Sequence, residues 1–186
     1  MRLLCTNDDG ILAYGLACLV EAAEPLGEIT VVAPDREQSA TSHSLTLHHP
    51  IRPIERGERR FQVDGTPTDC VMLAVEALMP ERPDFVLSGI NHGQNMGEDV
   101  LYSGTVAAAI EGAFFGITSI ACSLEYNEHA NFARAAEISR HVIVMPDFPV
   151  KFIFAEKAGI SLLEFTDLFI AHWKHWDIFI EGIVNC

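Results

Sequence analysis

The stretch Asn7-Asp8-Asp9-Gly10 follows the apolar run Leu3-Leu4-Cys5-Thr6 at the start of the chain. The run is short enough to be a buried first strand, and the polar residues after it mark the point where the strand ends and the backbone turns. Ligands of open parallel sheets bind in the crevice outside the carboxyl ends of the strands. Two adjacent Asp residues there suit a hard cation such as Mg²⁺ or Mn²⁺, but the same four residues are also typical of an ordinary polar turn.

The segments after the Asp pair predict a sheet of parallel strands. Apolar residues at helical spacing over Leu16 to Leu26 predict a crossover helix, and the β-branched run Ile29 to Ala33 predicts a second buried strand. Further buried strands are predicted at Phe85 to Ile90 and at Ser119 to Cys122. We therefore predict an α/β fold, a three-layer αβα Rossmann-like arrangement with a mainly parallel sheet. Helices are also predicted from the start signals at Thr66 and Pro67, over Val106 to Phe115, and over Asn131 to Val144.

The stretch from Leu45 to Val63 has a different pattern. Its alternation is partial and is interrupted by Pro50, Pro53 and Gly57. Proline cannot donate to a strand ladder, so these breaks predict an excursion of two short antiparallel strands rather than a core element.

Charge and composition exclude several classes of function. The 186 residues include 26 Asp and Glu against 12 Lys and Arg, a net charge of −14, which argues against a nucleic-acid polymer as partner. Such a protein can still bind a small phosphate where a metal ion or helix amides supply positive character. We expect no signal peptide and no membrane span, because neither an apolar leader nor a long uncharged apolar stretch occurs. The 5 Cys residues include no C-x-x-C pair, which predicts reduced thiols in a cytoplasmic protein.

Three further polar stretches follow predicted strand ends or open a predicted helix. The loop from Asp35 to Ser44 offers a hydroxyl ligand from among Ser39, Thr41, Ser42 and Ser44, although most loops rich in Ser and Thr are only loops. Asn91 to Asp99 contains amide side chains and two glycines that let the backbone approach a ligand. Ser103-Gly104-Thr105 opens a helix and combines hydroxyls, free amides and the positive end of the helix dipole, as a phosphate site requires, although a simple N-cap would account for part of this pattern.

Other nucleotide and phosphate folds lack support. The sequence has no G-x-x-x-x-G-K-[ST] motif, and no G-x-G-x-x-G follows the first strand. A receiver-type phosphorelay domain would need a Lys late in the sheet, whereas no Lys occurs before Lys151.

Several motifs in one order make the chain resemble the SurE (survival protein E) family of nucleotidases from Met1 to about Leu124. The motifs are Asn7-Asp8-Asp9-Gly10, Val32-Ala33-Pro34-Asp35-Arg36 with Ser39, Ser44-Leu45-Thr46, Gly65-Thr66-Pro67-Thr68-Asp69-Cys70, Ser88-Gly89-Ile90-Asn91 with Gly93, Asn95 and Gly97, and Asp99 with Tyr102-Ser103-Gly104-Thr105-Val106.

The resemblance implies a divalent-metal-dependent phosphatase that hydrolyses nucleoside 5'-monophosphates, and also 3'-monophosphates. It implies one divalent cation per subunit, Mg²⁺ or Mn²⁺, and a homo-oligomer. The implied chemistry is in-line attack of water on phosphorus with Asp8 and Asp9 as the catalytic residues, and whether Asp8 is also a general base stays open. His43 is a second candidate acid or base. The implied metal ligands are Asp8, Asp9, Ser39 and Asn91, and the implied contacts to the substrate phosphate are Asn95, Ser103, Gly104 and Thr105.

Two alternatives stay open: a remnant that binds metal without efficient turnover, and a phosphatase for another phosphomonoester or a short polyphosphate. The composition also changes near residue 144, since every Lys lies beyond Pro149 and every Arg before it. We therefore predict a catalytic α/β domain over residues 1–144 and a divergent tail over 145–186, which is either a natural divergence or the product of a shifted reading frame.

Overall fold

A computed structural model describes residues 1–126, 130–144 and 150–155. In these ranges the chain forms one seven-stranded sheet in the order β3-β4-β2-β1-β5-β6-β7. All neighbouring strands are parallel except β3 and β4, so the predicted mainly parallel sheet is confirmed. The strands are β1 (Arg2–Thr6), β2 (Glu28–Pro34), β3 (Pro53–Gly57), β4 (Arg60–Val63), β5 (Phe85–His92), β6 (Thr118–Leu124) and β7 (Val150–Ala155).

Helices cover both faces of the sheet. Helix α1 packs against α4 on one face and α2 packs against α3 on the other, which confirms the three-layer αβα arrangement. The helices are α1 (Tyr14–Ala23), α2 (Pro67–Leu73, continued by a π-helical turn at Ala74–Leu78), α3 (Gly104–Phe114) and α4 (Phe132–Ile143), with 3-10 turns at Glu24–Leu26 and Gly97–Leu101.

The core lies in two layers because neighbouring residues of a strand point to opposite faces. Leu3 and Cys5 of β1 pack with α1 and α4, whereas Leu4 packs with α2 and α3. All three side chains are fully buried. Strand β1 is therefore apolar at successive positions, as is typical of a strand covered on both faces.

The predicted antiparallel excursion is partly wrong. Strands β3 and β4 are antiparallel to each other, as expected, but β4 also pairs in parallel with β2, in the register Val31 to Arg60. The side chain of Val63 is fully buried. The hairpin therefore extends the main sheet, because its second strand satisfies the open edge of β2.

Two features inferred from the local sequence agree with the structure. The Thr66 side chain accepts the Asp69 N–H while the Asp69 side chain accepts the Thr66 N–H, a capping box that fixes the start of α2. Cys5, Cys18, Cys70 and Cys122 are free and buried, as expected for reduced core residues, and burial raises the pKa of the Cys5 and Cys122 thiols to about 12. Cys186 lies outside the described residues.

The predicted boundary at residue 144 stays a prediction. Strand β7 lies beyond it and pairs in parallel with β6. The rest of the predicted tail, residues 145–149 and 156–186, lies outside the described ranges. Among the described helices, none is long and apolar enough to cross a membrane.

Candidate active site

A pocket of about 280 Å³ opens at the carboxyl ends of the central strands. It gathers all four predicted metal ligands: Asp8 and Asp9 follow β1, Ser39 follows β2, and Asn91 lies near the end of β5. Its wall also contains Asn95 and Ser103 from the predicted phosphate contacts. The other lining residues are Glu37, Ala40, His92, Gln94, Asp99 and Tyr102.

The turn after β1 holds the two carboxylates at the strand end. The buried side chain of Asn7 donates its amide N–H to the Gly10 carbonyl at 3.0 Å and so closes the turn around the Asp pair. Gly10 has φ +99°, and a Cβ at this position would lie 3.2 Å from the backbone of Arg36. A residue with a side chain would be strained there, so the Gly of this motif is required by the backbone.

Asp8 is bound to the start of α3. Its Oδ1 accepts a hydrogen bond from the Thr105 hydroxyl, and its carboxylate also accepts the Thr105 main-chain N–H. The helix dipole places positive character at this end of α3, which favours an ionised Asp8. Both donors of Thr105, one of the predicted phosphate contacts, are therefore engaged by Asp8, and Thr105 itself is fully buried behind the pocket wall.

Burial raises the pKa of both carboxyl groups. For Asp8, loss of solvent outweighs the two hydrogen bonds from Thr105, which lower the pKa. For Asp9, burial and then the neighbouring charge of Asp8 raise the pKa to about 6, against a smaller lowering effect from the His92 main-chain N–H. Two desolvated acids side by side resist ionisation unless a positive charge compensates them.

The loop after β2 is fastened to this turn. The Gln38 N–H donates to the Asp8 carbonyl at 2.7 Å, and the Ser42 N–H donates to the Tyr102 carbonyl at 3.1 Å. These two bonds place Ser39 between the Asp pair and the segment that precedes α3. The Ser39 hydroxyl donates to Glu37 Oε1 at 2.5 Å, so its oxygen lone pairs are the part of the side chain suited to a cation.

Two amide side chains come from the segment that begins in β5. Asn91 donates through Nδ2 to the Gly93 carbonyl at 2.8 Å, and the buried Asn95 donates through Nδ2 to Ser123 Oγ at 2.7 Å. For Asn91 this leaves the carbonyl oxygen, the atom that a hard cation prefers. Asn95 keeps a second N–H, which is the atom a phosphate oxygen requires.

The start of α3 lies directly against Asp8. Ser103 is the N-cap, and its hydroxyl oxygen accepts the Val106 N–H at 3.2 Å. A Cβ on Gly104 would lie 2.8 Å from Cβ of Asp8, so only glycine lets the helix approach this closely. Of the predicted phosphate contacts, Ser103 lies in the pocket wall, and Gly104 belongs to the first turn, where amides have no partner within the helix.

His43, the second candidate acid or base, has a different environment. Its Nε2 lies 2.7 Å from Glu111 Oε2 on α3, and its ring lies against Phe114. It is not among the residues that line the pocket. The structure therefore pairs His43 with Glu111 and does not place it in the pocket that Asp8 and Asp9 line.

Sequence reasoning named no role for Glu37 or His92, although His92 belongs to the polar stretch from Asn91 to Asp99. Glu37, like Asp99, adds an acidic residue to the pocket wall beside the Asp pair, and His92 lines the wall and supplies a main-chain donor to Asp9. Glu37 could have been noticed because it lies two positions before Ser39 in the same polar loop. No spacing signal marks His92, since its contacts depend on how β5 meets the neighbouring helices.

The donor set fits a hard divalent cation. It combines two carboxylates with neutral hydroxyl and amide oxygens, the ligand types that Mg²⁺ and Mn²⁺ take. No Lys or Arg forms an ion pair with Asp8 or Asp9 among the described residues, so a cation would supply the missing positive charge. The described residues contain no cluster of three His, Cys, Asp or Glu side chains suited to a metal, and so the two neutral oxygen donors would have to complete the set.

Comparison with known proteins agrees with the residue pattern. A family model described as Survival protein SurE matches residues 3–170, which extends past residue 144 into the predicted tail. A protein named 5'-nucleotidase SurE from Gemmatimonas aurantiaca is 76% identical over 127 residues, which are 68% of this chain and 50% of the relative. One of the same name from Geotalea daltonii is 55% identical over 140 residues, which are 75% of this chain and 56% of the relative.

A solved structure has the same fold. The crystal structure titled Sure protein from Aquifex aeolicus superposes with a TM-score of 0.74 and 43% sequence identity, over 77% of this chain and 58% of that chain. The chain spans about half the length of the curated relatives it matches.

Proposed function

The chain belongs to the SurE family, and from that premise we propose that it is a divalent-metal-dependent phosphatase that hydrolyses nucleoside 5'-monophosphates to nucleoside and phosphate. The observation that carries the proposal is the convergence of Asp8, Asp9, Ser39 and Asn91 on one pocket beside the start of α3. The names of the relatives, 5'-nucleotidase SurE, support the choice of substrate.

The four oxygen ligands would hold one Mg²⁺ or Mn²⁺ per subunit. When bound, such a cation supplies a Lewis acid that neutralises charge on a phosphoryl oxygen. In the proposal Asp8 and Asp9 provide the two negative charges of the site, and the Thr105 donors keep Asp8 ionised and oriented. Ser39 and Asn91 provide neutral oxygens, so positions remain for water and for the substrate.

The phosphate group is assigned to the segment between Asn95 and α3. Ser103 and the first-turn amide of Gly104 are donors at the positive end of the helix, which is an arrangement that binds anions. Asn95 would add its second amide N–H. These groups would orient the phosphorus for in-line attack by water and stabilise charge on the equatorial oxygens. In the protein as a whole the charge is −14, so this local positive character would be needed to attract a phosphate.

Hydrolysis of 3'-monophosphates, a homo-oligomeric state and a cytoplasmic location are further parts of the proposal. The first two follow from the family premise and the last from the reduced cysteines. Each stays a prediction.

A panel of phosphate-release assays tests the proposal. The rate of phosphate release is measured for four kinds of substrate: nucleoside 5'-monophosphates, nucleoside 3'-monophosphates, a simple phosphomonoester and tripolyphosphate. Each substrate is assayed in the presence of Mn²⁺, of Mg²⁺ and of EDTA. The proposal expects release from the 5'-monophosphates that EDTA abolishes. Preference for tripolyphosphate or the simple ester would assign another substrate, and Mn²⁺ binding without release from any of them would identify a protein that has lost turnover.

A further inference from the structure

An aromatic cluster stands on the α1 and α4 side of the pocket. Phe132 contacts the ring of Tyr14 edge-on at 5.6 Å and the ring of His92 edge-on at 5.4 Å, and His92 stacks on Tyr126 at 4.7 Å with 22° between the ring planes. We call these four residues the aromatic cluster. They come from four separate segments: the first residue of α1, the last of β5, the loop after β6 and the first of α4.

The rings of the cluster face solvent although one of them is anchored in the core. Phe132 is partly buried and packs against the core between the sheet and α1 and α4. Tyr126 is 69% exposed, Tyr14 is 67% exposed, and His92 is also exposed. Aromatic rings normally bury their area, so one stacked pair of rings, held by edge-on contacts to Phe132 and left open to solvent, is a surface suited to a flat ligand.

The cluster is continuous with the candidate active site. The main-chain N–H of His92 donates to the Asp9 carboxylate, and His92 lines the same pocket as Asp9 and Asn91. The proposed phosphate contacts lie at the start of α3, which covers the opposite face of the sheet from α1 and α4. His92 and Ser103 line the same pocket, so a ligand with its phosphate at α3 and its other end across the strand tips would meet His92, on which Tyr126 stacks.

The rings of the aromatic cluster favour a nucleobase at the end of the ligand that lies away from its phosphate. Every nucleobase has a flat π-face that stacks on His, Tyr or Phe rings, and this stacking tolerates different bases. A neutral base also meets no charge repulsion on an acidic protein. A sugar phosphate without a base would leave the exposed rings unused.

We propose that the exposed faces of His92 and Tyr126 form a stacking surface for the base of the nucleoside monophosphate. The proposal rests on the proposed function and assigns the base to the side of the pocket away from α3. It implies weak discrimination among bases, because stacking reads the ring area and not a hydrogen-bond pattern.

The test compares AMP with ribose 5-phosphate, which has the same phosphate and sugar but no base. Tyr126→Ala is expected to lower kcat/KM for AMP about tenfold, the usual scale of one lost base stack, and to leave kcat/KM for ribose 5-phosphate unchanged. His92→Ala is expected to lower kcat/KM for AMP about tenfold more than it lowers kcat/KM for ribose 5-phosphate, because His92 also lies beside Asp9 in the pocket. Tyr126→Phe keeps the ring and is expected to match the parent. Phe114→Ala is the control, since Phe114 is 74% exposed on α3 and contacts His43 instead.

Equal losses on both substrates, or no loss on AMP, would overturn the stacking surface. Adenosine binding, followed by NMR in the absence of metal, separates this proposal from the proposed function. If no substrate is hydrolysed but adenosine binds the parent and not the two alanine variants, the stacking surface stands and the phosphatase assignment fails. If AMP is hydrolysed and adenosine binds all variants equally, the phosphatase assignment stands and the stacking surface fails. Circular dichroism of each variant excludes loss of the fold.

Discussion

The hydroxyl of Thr105 donates a hydrogen bond to Oδ1 of Asp8, joining residues that are 97 positions apart in the sequence. The bond connects the end of β1 to the start of α3, so it fixes one of the candidate metal ligands against a helix terminus. In the structure the Thr105 side chain supports Asp8. The phosphate contact that the resemblance implies for Thr105 stays a prediction.

Replacing Thr105 by Val removes the hydroxyl while keeping the volume of the side chain. A hydrogen bond to a charged group contributes about 1.5–3 kcal/mol, so we expect Thr105→Val to weaken Mn²⁺ binding about tenfold or more and to lower kcat/KM with it. Thr105→Ser keeps the donor and is expected to behave like the parent. Isothermal titration with Mn²⁺ measures the effect. A higher KM with unchanged Mn²⁺ affinity in Thr105→Val would contradict this role and would indicate that Thr105 contacts the substrate phosphate directly.

The close approach of α3 to Asp8 gives a second prediction. In Gly104→Ala the new Cβ would lie 2.8 Å from Cβ and 3.0 Å from Oδ2 of Asp8, and the carboxylate must therefore move. Gly112→Ala is a matched control on the same helix, where the Cβ would lie 2.7 Å from Cγ2 of Val86, away from the site. Overpacking costs about 1–3 kcal/mol, so both variants should unfold at lower temperature.

Gly104→Ala is expected to lose metal-dependent turnover, whereas Gly112→Ala is expected to keep it. Thermal unfolding and Mn²⁺-dependent phosphate release, measured on the same preparations, give the comparison. Equal residual activity in the two variants would show that the packing of Gly104 against Asp8 does not control the site.

The raised pKa of Asp9 predicts a gain in stability when its charge is removed. The folded protein holds the Asp9 proton up to a pKa of about 6, above the usual value of 3.8, so the folded state binds more protons than the unfolded state between these values. Stability contributed by this group is therefore present below the unfolded pKa and is lost as pH rises through about 6. Metal-free Asp9→Asn should melt above the metal-free parent at pH 7.5, and the gap should close near pH 4.

Adding Mn²⁺ provides the control for this effect. The cation should raise the melting temperature of the parent at pH 7.5 and leave Asp9→Asn unchanged, because ligand binding stabilises only a folded state that holds the site. A metal-free Asp9→Asn variant that melts below the metal-free parent at pH 7.5 would show that the ionised Asp9 carboxylate does not destabilise the folded state.

The sequence was sufficient to predict the parallel sheet, and the four predicted metal ligands share one pocket, for identifiable physical reasons. Strand β1 is a continuous apolar run, and polar residues follow it at once, so the position of Asp8 and Asp9 at a strand end could be read directly. The rule that parallel strands end at one edge of the sheet pointed to the segments that contain Ser39 and Asn91, and the resemblance singled out these two residues. Their convergence with the Asp pair in the pocket follows from that topology.

The features that were missed depend on side-chain geometry across the sheet. Pairing of β4 with β2 could not be inferred, because short exposed strands interrupted by Pro carry little information about which edge they join. The role of Thr105 required knowing which donor of the α3 terminus meets which oxygen. The aromatic cluster joins His92 to Tyr126 and Phe132, and no spacing in the sequence indicates contacts between segments that far apart.

The most direct test of the account is the initial rate of phosphate release from AMP as a function of Mn²⁺ concentration, for the parent and for Asp8→Asn. The substitution keeps the shape of the side chain and removes one unit of charge from a hard-cation site. We expect saturable Mn²⁺ dependence in the parent, a loss of about a thousandfold in kcat/KM for Asp8→Asn, and an unchanged circular dichroism spectrum. Turnover in Asp8→Asn equal to that of the parent at low Mn²⁺ would contradict the account.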